Sequence, residues 1–155
     1  MTASRGQRRL RVESVEEAVD ELRAHGLRVS AARRLVLEAL FATSTPLSAR
    51  QIADGIAGRI PRSDVASVYR NLETFEELGL VRHVHLGHGP SLFTLAHANA
   101  REYVICELCD EVRAYEPSQL DAVRAAVRTA SGFEARFDHF PLAGRCPTCA
   151  DSRGK

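Results

Sequence analysis

The sequence lacks the features that mark membrane, exported and disordered proteins. No stretch of its 155 residues approaches the ~18 apolar residues that a helix needs to cross a bilayer. The basic N-terminus is not followed by the apolar core of a signal peptide, and there is no low-complexity tract. With 45% hydrophobic and 26% charged residues, the composition is ordinary for a globular protein. We therefore expect a cytoplasmic protein with a buried core and no membrane partner.

An excess of charge of one sign is missing as well. The formal net charge is +1, so the total charge gives no argument for nucleic-acid binding, and the location of the charges must supply one. The first dozen residues contain four arginines and no acidic residue: Arg5, Arg8, Arg9 and Arg11. We predict that residues 1–13 form a flexible basic arm.

Catalytic signatures are also absent, which predicts that the protein is not an enzyme. Its four cysteines instead form two C-x-x-C pairs, Cys106 with Cys109 and Cys146 with Cys149. In a reducing compartment this pattern favours a metal over disulfides. Two such turns can supply the four thiolates of a structural zinc site. A redox-active dithiol is the rival interpretation and would make the protein a thiol-disulfide oxidoreductase, although no βαβ pattern supports it.

The N-terminal half has the pattern of a small helical domain with a hairpin. Three serines precede helical periodicity and predict three helix starts: Ser14, Ser30 and Ser48. The third helix is expected to run through Ile52, Ile56 and Ile60 until Pro61. Ser63 is predicted to cap a fourth helix that ends before Gly79. The strand-forming runs 80–85 and 92–95 then predict a hairpin.

The fourth helix has a polar outer face, which turns this pattern into a functional hypothesis. Ser67, Arg70 and Asn71 lie on that face, with Tyr69 on its flank. Three helices, a fourth with such a face and a hairpin predict a winged helix-turn-helix, whose recognition helix fits the major groove of DNA. The alternative is a helical bundle with a solvated face.

The C-terminal half switches to an α+β pattern. Residues 103–106 and 111–114 are predicted strands around the first cysteine pair, and a helix is predicted to start at Pro117. Residues 133–137 and 140–142 are predicted strands leading into the second pair. The predicted domains are therefore 14–96, a DNA-binding domain, and 97–155, a metal-binding domain.

Histidines form a second group of potential metal ligands. His83 and His85 lie two positions apart in a predicted strand, so their side chains leave the same face roughly 6.5 Å apart. That spacing allows both imidazoles to reach one ion. His139, close to the second cysteine pair, is the natural third ligand. The alternative is that these histidines simply face solvent.

At this point the sequence resembles the ferric uptake regulator (Fur) family of metal-responsive repressors. The resemblance spans roughly residues 21–149 and rests on five segments: 27–35, 67–72, 78–81, 105–109 and 139–149. It implies that residues 97–155 also form a dimerisation domain, and that the homodimer, when loaded with metal, binds an AT-rich inverted repeat in double-stranded DNA. It also implies that Tyr69 and Arg70 contact DNA. The arginine arm is expected to contact phosphates, with a strong dependence on salt.

Two departures from the family pattern concern the sensory metal. Most relatives have a histidine-rich run before the first C-x-x-C, where this sequence has Asn99-Ala-Arg-Glu-Tyr103, and Pro46 replaces another sensory histidine. The segment 82–89 and His139 are instead similar to the nickel-responsive actinobacterial branch. There, two histidines near the wing and one late histidine form a separate metal site.

The resemblance therefore implies that His83, His85 and His139 hold a second divalent metal, with His97 or Glu102 as a fourth ligand. Zinc, nickel, iron and manganese all remain open as its identity. We predict a zinc-stabilised repressor whose DNA affinity responds to this metal. The alternatives are a relative that has lost metal sensing, one that senses oxidant through its cysteines, and a zinc-binding interaction module without DNA affinity.

Overall fold

The structure, a computed structural model, describes residues 10–55, 61–96 and 101–151. The chain divides into two compact units, Met1–His83 with Ser91–Asn99, and Val84–Pro90 with Ala100–Lys155. The predicted boundary near residue 97 lies outside the described residues, so the domain limits remain predictions. No helix of the described part is long and apolar enough to span a membrane.

The elements follow the predicted order of helices, hairpin and α+β half. The N-terminal half contains α1 (Val15–Ala24), α2 (Ala31–Phe41), β1 (Leu47–Ser48), α3 (Ala49–Asp54), α4 (Val65–Glu77), β2 (Val81–Val84) and β3 (Leu92–Leu95). The C-terminal half contains β4 (Glu102–Cys106), β5 (Val112–Tyr115), a 3-10 turn (Pro117–Leu120), α5 (Asp121–Ser131), β6 (Leu142–Gly144) and α6 (Pro147–Asp151).

The three predicted serine caps are confirmed. Ser14, Ser30 and Ser48 each accept a hydrogen bond from the backbone N–H three residues later, at 3.1, 3.2 and 3.1 Å. At Ser48 the capping box is complete, because Gln51 Oε1 accepts from the Ser48 N–H at 2.8 Å. These bonds satisfy N–H groups that have no partner inside the helix.

Two predicted helix ends are corrected. Asp64 caps α4 instead of Ser63, because the Asp64 carboxylate accepts from the Ser67 N–H at 2.8 Å and places a negative charge at the helix N-terminus. Helix α3 ends at Asp54, since Gly55 follows with φ 73°, a conformation that stops a helix. The prediction that it continues through Ile56 is therefore wrong at Gly55, and residues 56–60 lie outside the described chain.

The core of the first unit is made by helices α1 to α4 together with residues of β2 and β3. Helix α4 buries one stripe at spacings of three and four, and its Leu72 and Phe75 are completely inaccessible to solvent. Leu22 of α1 and Leu37 of α2 are buried to the same degree. Strands β1, β3 and β2 form a sheet in that order, with Leu47 opposite Phe93 in an antiparallel pair. The core therefore fixes one face of α4 and leaves the other to solvent.

The sheet of the second unit has the order β5-β4-β6. Strand β4 pairs antiparallel with β5 and parallel with β6, with Cys106 opposite Gly144. Because parallel strands end at the same edge of a sheet, the segments that follow β4 and β6 begin next to each other. Both C-x-x-C pairs lie at this edge.

One predicted strand of this half is wrong, and another is displaced. Residues 133–137 form no strand, because neither edge of the described sheet pairs with them, and Phe133 is 75% exposed. The strand predicted at 140–142 instead spans Leu142–Gly144.

Candidate metal and DNA-binding sites

The two cysteine pairs occupy tight turns at the common edge of the sheet. Cys106 ends β4, and its carbonyl accepts from the Asp110 N–H at 3.0 Å, closing the first turn. Asp110 takes a left-handed conformation, with φ 59°. The Cys146 carbonyl accepts from the Ala150 N–H at 2.9 Å, which opens the short helix α6. Each of these turns therefore brings the two cysteines of its pair close together.

The sulfur separations fit one tetrahedral zinc ion. All four Sγ atoms lie within 4.8 Å of one another, and Cys109 Sγ is 3.7 Å from Cys146 Sγ across the two pairs. Zinc–sulfur bonds of about 2.3 Å place the corners of a tetrahedron roughly 3.8 Å apart. The four-thiol donor set is the one that zinc prefers in structural sites.

The electrostatics of the cluster also suit a cation. The backbone N–H groups of Cys146, Leu108 and Cys109 donate to the Cys106 sulfur and hold the pKa of that thiol at about 6. The neighbouring Cys146 and Cys109 sulfurs, together with burial, raise the pKa of Cys149 to about 12. Four thiolates therefore do not coexist easily by themselves, and a divalent cation between them removes this repulsion.

His85 and His139 meet in the second unit. Their ring centroids are 5.2 Å apart, their ligand nitrogens lie within 4.8 Å, and the His85 N–H donates to the His139 carbonyl at 3.2 Å. Phe140 stacks on the His85 ring at a centroid distance of 5.5 Å. The geometry therefore brings together two of the three histidines predicted as regulatory ligands, within one unit.

His83 belongs to the first unit, where it has its own partners. Its Nδ1 contacts a carboxylate oxygen of Glu76 in the last turn of α4, and its ring lies 6.2 Å from the Phe93 ring. His83 is also only two residues from His85, so the chain itself keeps their Cα atoms within about 7 Å.

The two suggested fourth ligands have different outcomes. His97 lies outside the described residues. Glu102 is buried, and both of its carboxylate oxygens accept from Nη2 of Arg124, which also lies over the Phe137 ring. A carboxylate engaged in this way serves the packing of β4 against α5, which does not favour Glu102 as a metal ligand.

The outer face of α4 presents Tyr69 and Arg70. Tyr69 is 42% exposed, although its ring also makes a T-shaped contact with the Phe93 ring at a centroid distance of 6.4 Å. Arg70 is exposed. Ser67 is half-buried near the N-terminus of the helix. Arg11 of the predicted arm is exposed, whereas Arg5, Arg8 and Arg9 lie outside the described residues.

Asn71 is a correction to the predicted DNA-reading face. It is only 8% exposed, its Oδ1 accepts from Arg33 Nε at 3.1 Å, and its Nδ2 donates to the Ser67 carbonyl at 2.9 Å. The Arg33 guanidinium also donates to the Arg28 carbonyl at 2.6 Å. Asn71 therefore connects α4 to α2 and does not belong to the exposed face of α4.

Sequence reasoning missed Arg33 and Glu76. Glu76 lies seven residues before His83, and the end of α4 separates them in the sequence. This spacing does not by itself indicate that the two side chains are in contact. The contact of Arg33 with Asn71 joins residues that lie 38 positions apart in the chain. Neither partnership could be read from local periodicity.

Comparison with known proteins places these sites in a family context. Residues 24–139 match the ferric uptake regulator family. The chain is 28% identical over 137 residues to the peroxide-responsive repressor PerR of Staphylococcus saprophyticus, covering 88% of this chain and 92% of the relative.

Solved structures give the same result for the fold. The ferric uptake regulator of Pseudomonas aeruginosa with manganese has a TM-score of 0.63 at 26% identity, over 83% of this chain and 97% of that one. The Helicobacter pylori regulator, described with three functional metal-binding sites, has a TM-score of 0.66 at 20% identity, over 91% and 97%. The predicted fold, a winged helix followed by a small α+β dimerisation domain, is confirmed.

Proposed function

Because the chain belongs to the ferric uptake regulator family and is a metal-responsive transcriptional regulator, we propose that it represses transcription as a homodimer on an AT-rich inverted repeat. The observation that carries this proposal is the division of α4 into two faces. Leu72 and Phe75 are buried in the core, while Tyr69 and Arg70 are exposed to solvent. A helix held in this way presents a fixed pair of side chains to a groove.

The exposed pair suits an operator that is rich in A·T pairs. The Tyr69 ring can make apolar contact with thymine methyl groups, and Arg70 can donate to base edges or phosphates. Ser67 near the helix start can bind a phosphate. Arg11 and the arginines of the arm, Arg5, Arg8 and Arg9, would add phosphate contacts whose contribution falls as salt rises.

Two metals have separate roles in this proposal. Cys106, Cys109, Cys146 and Cys149 would hold zinc in a closed site, which stabilises the second unit and offers no open position to a substrate. His83, His85 and His139 would bind the regulatory metal. The likeness of the segment 82–89 and of His139 to the nickel-responsive actinobacterial branch supports placing this chain near that branch.

Dimer formation is supported by the surface of the second unit. In the described chain α5 buries none of its residues, although Val123 and Val127 give it an apolar stripe. Phe133 and Phe140 are exposed by 75% and 61%. Large apolar side chains in such positions gain stability when a second copy covers them, and two copies would present two α4 helices to the two halves of an inverted repeat.

The direct test is DNA binding by fluorescence anisotropy, with zinc retained in the cysteine site. Nickel is added or withheld, and an AT-rich inverted repeat is compared with a GC-rich duplex of equal length. We expect nickel to tighten binding to the repeat, and R70A to weaken it. R23A, which removes an exposed arginine from α1, is the matched control. Equal affinity for the two duplexes, or no effect of R70A beyond that of R23A, would reject the proposal.

A second candidate function is the sensing of oxidant by the cysteines, because the Staphylococcus saprophyticus relative is a peroxide-responsive repressor. Cys109 is exposed and its sulfur lies 3.7 Å from that of Cys146. Hydrogen peroxide would take two electrons from this pair, forming one disulfide and two water molecules, and the ion would leave. Thiol titration alongside zinc release after peroxide treatment tests this function.

Loss of metal sensing would appear as nickel-independent DNA binding.

A further inference from the structure

Glu76 stands where the DNA-reading helix meets the predicted regulatory site. It lies in the last turn of α4, seven residues after Tyr69, and its carboxylate contacts Nδ1 of His83 on β2. The two side chains are 29% and 32% exposed, so each is held partly within the first unit. The Phe93 ring of β3 contacts both the His83 ring and the Tyr69 ring.

A carboxylate at Nδ1 determines how a histidine can bind a metal. An ionised carboxylate only accepts hydrogen bonds, so it selects the tautomer with the proton on Nδ1. The lone pair is then on Nε2, which becomes the metal-binding nitrogen. In metal sites such a carboxylate fixes the ring orientation and raises the basicity of the ligand, and its loss weakens metal affinity about 10–100-fold.

We propose that Glu76 is a positioning residue of the regulatory metal site, which orients His83 through Nδ1 and makes the DNA-reading helix a structural part of that site. This inference rests on the proposed function of His83 as a ligand. It assigns the coupling between metal and DNA to α4 itself, because the residue that holds the ligand and the residues that face DNA belong to one helix.

The contacts within the first unit give this coupling a physical path. Any change in the ring position of His83 acts on Glu76 through the hydrogen bond and on Phe93 through ring contact. The Phe93 and Tyr69 rings make a T-shaped contact at a centroid distance of 6.4 Å. The position of Tyr69 therefore depends on His83 in two ways, through Glu76 on the same helix and through Phe93 on β3. A metal that fixes the His83 ring would restrict the motion of both Glu76 and Phe93.

A purely structural role makes a different prediction. A half-exposed ion pair contributes little to folding, so E76A should remain folded, and a structural contact would leave metal binding unchanged. Glu73 is the matched control. It lies three residues earlier on the same helix, and its side chain is exposed. Substitution of Glu73 changes the charge of α4 equally without touching His83.

The first experiment reads the tautomer of His83 in the full-length protein with zinc in the cysteine site and no other metal. Long-range ¹H–¹⁵N NMR distinguishes protonation on Nδ1 from protonation on Nε2, and comparison with H83A assigns the signals. We expect the Nδ1–H form in the wild type and in E73A, and a shift toward the Nε2–H form in E76A. An Nε2–H tautomer in the wild type would overturn the proposal.

The second experiment measures nickel affinity by titration of the same zinc-loaded protein. E76A is expected to bind Ni²⁺ about 10–100-fold more weakly than the wild type, while E73A keeps the wild-type affinity. E76Q should recover part of the loss, since its amide oxygen still accepts from Nδ1. The absorption bands of bound Ni²⁺ should keep their positions in E76A. Shifted bands would make Glu76 a ligand and contradict a positioning role.

The outcomes separate this inference from the proposed function. If the wild type binds no nickel beyond the zinc site, the regulatory site itself fails, and the inference fails with it. If the wild type binds nickel and E76A binds it equally well, only the role of Glu76 is refuted. If E76A, saturated with nickel, still shows the full wild-type gain in DNA affinity, the coupling through α4 is refuted.

Discussion

Replacing Asn71 with alanine tests whether this side chain holds α4 in place or reads DNA. The structure assigns it the first role, because Asn71 is nearly buried and bridges α4 to Arg33 of α2. We expect N71A to lower the free energy of unfolding. We expect its effect on DNA binding to be uniform across sequences, because no base contact is removed.

The magnitude follows from the two hydrogen bonds. The hydrogen bond from Arg33 Nε has a charged donor and a length of 3.1 Å. Because the site is only partly buried, we take about 1.5 kcal/mol for it, the lower end of the range for hydrogen bonds with a charged partner. The bond to the Ser67 carbonyl adds about 1 kcal/mol. The higher helix propensity of alanine stabilises α4 by roughly 0.6 kcal/mol and offsets part of this loss. The net loss is about 2 kcal/mol, or a fall in Tm on the order of 8–16 °C for a unit of this size.

A double-mutant cycle on Arg33 and Asn71 measures the bond itself. Urea unfolding of zinc-loaded R33A, N71A and the double variant, followed by circular dichroism, should give a coupling energy of about 1.5 kcal/mol, well above the ~0.5 kcal/mol of independent sites. E73A, an exposed change on the same helix, should stay within about 0.5 kcal/mol of the wild type. Additive losses in the cycle, or an N71A protein of full stability whose preference relaxes at one base pair, would refute the reasoning.

Three further predictions concern the metal cluster, the core and the wing turn. C146S should lose stoichiometric zinc and the circular dichroism of the second unit; retention of zinc with three thiols, measured by chelator titration, would count against the cluster. F75A should cost about 3–5 kcal/mol in urea unfolding because Phe75 is completely buried, and a loss below 1 kcal/mol would show that the site collapses without a cavity. G87A should cost about 1–2 kcal/mol, since Gly87 has φ 70° and an added Cβ would lie 3.2 Å from the Ile105 side chain; thermal unfolding at the wild-type Tm would contradict that.

The elements that local chemistry determines could be predicted from the sequence. Ser30 caps α2 because its hydroxyl reaches an N–H three residues away, and no distant partner is involved. The C-x-x-C turns are equally local, and the hairpin strands follow from their strand-forming residues. The same local view could not choose between Ser63 and Asp64, since either side chain can cap a helix.

The features that depend on distant partners could not be predicted. Asn71 lies at the border between the buried and exposed faces of α4, and only Arg33 decides that it turns inward. The alternating pattern of residues 133–137 resembles a strand, but a strand exists only where a neighbour supplies hydrogen bonds. Glu76 is unremarkable in the sequence until β2 brings His83 against it.

The parallel pairing of β4 with β6 has a consequence for how the C-terminal half reaches its final form. Cys106 stands opposite Gly144, so the strand alignment decides whether the second pair of sulfurs arrives beside the first. A slip by one residue would turn every side chain of β6 to the opposite face, and the late sulfurs would miss the ion. Binding of one ion by all four thiols therefore requires the alignment of β4 with β6 that the structure has.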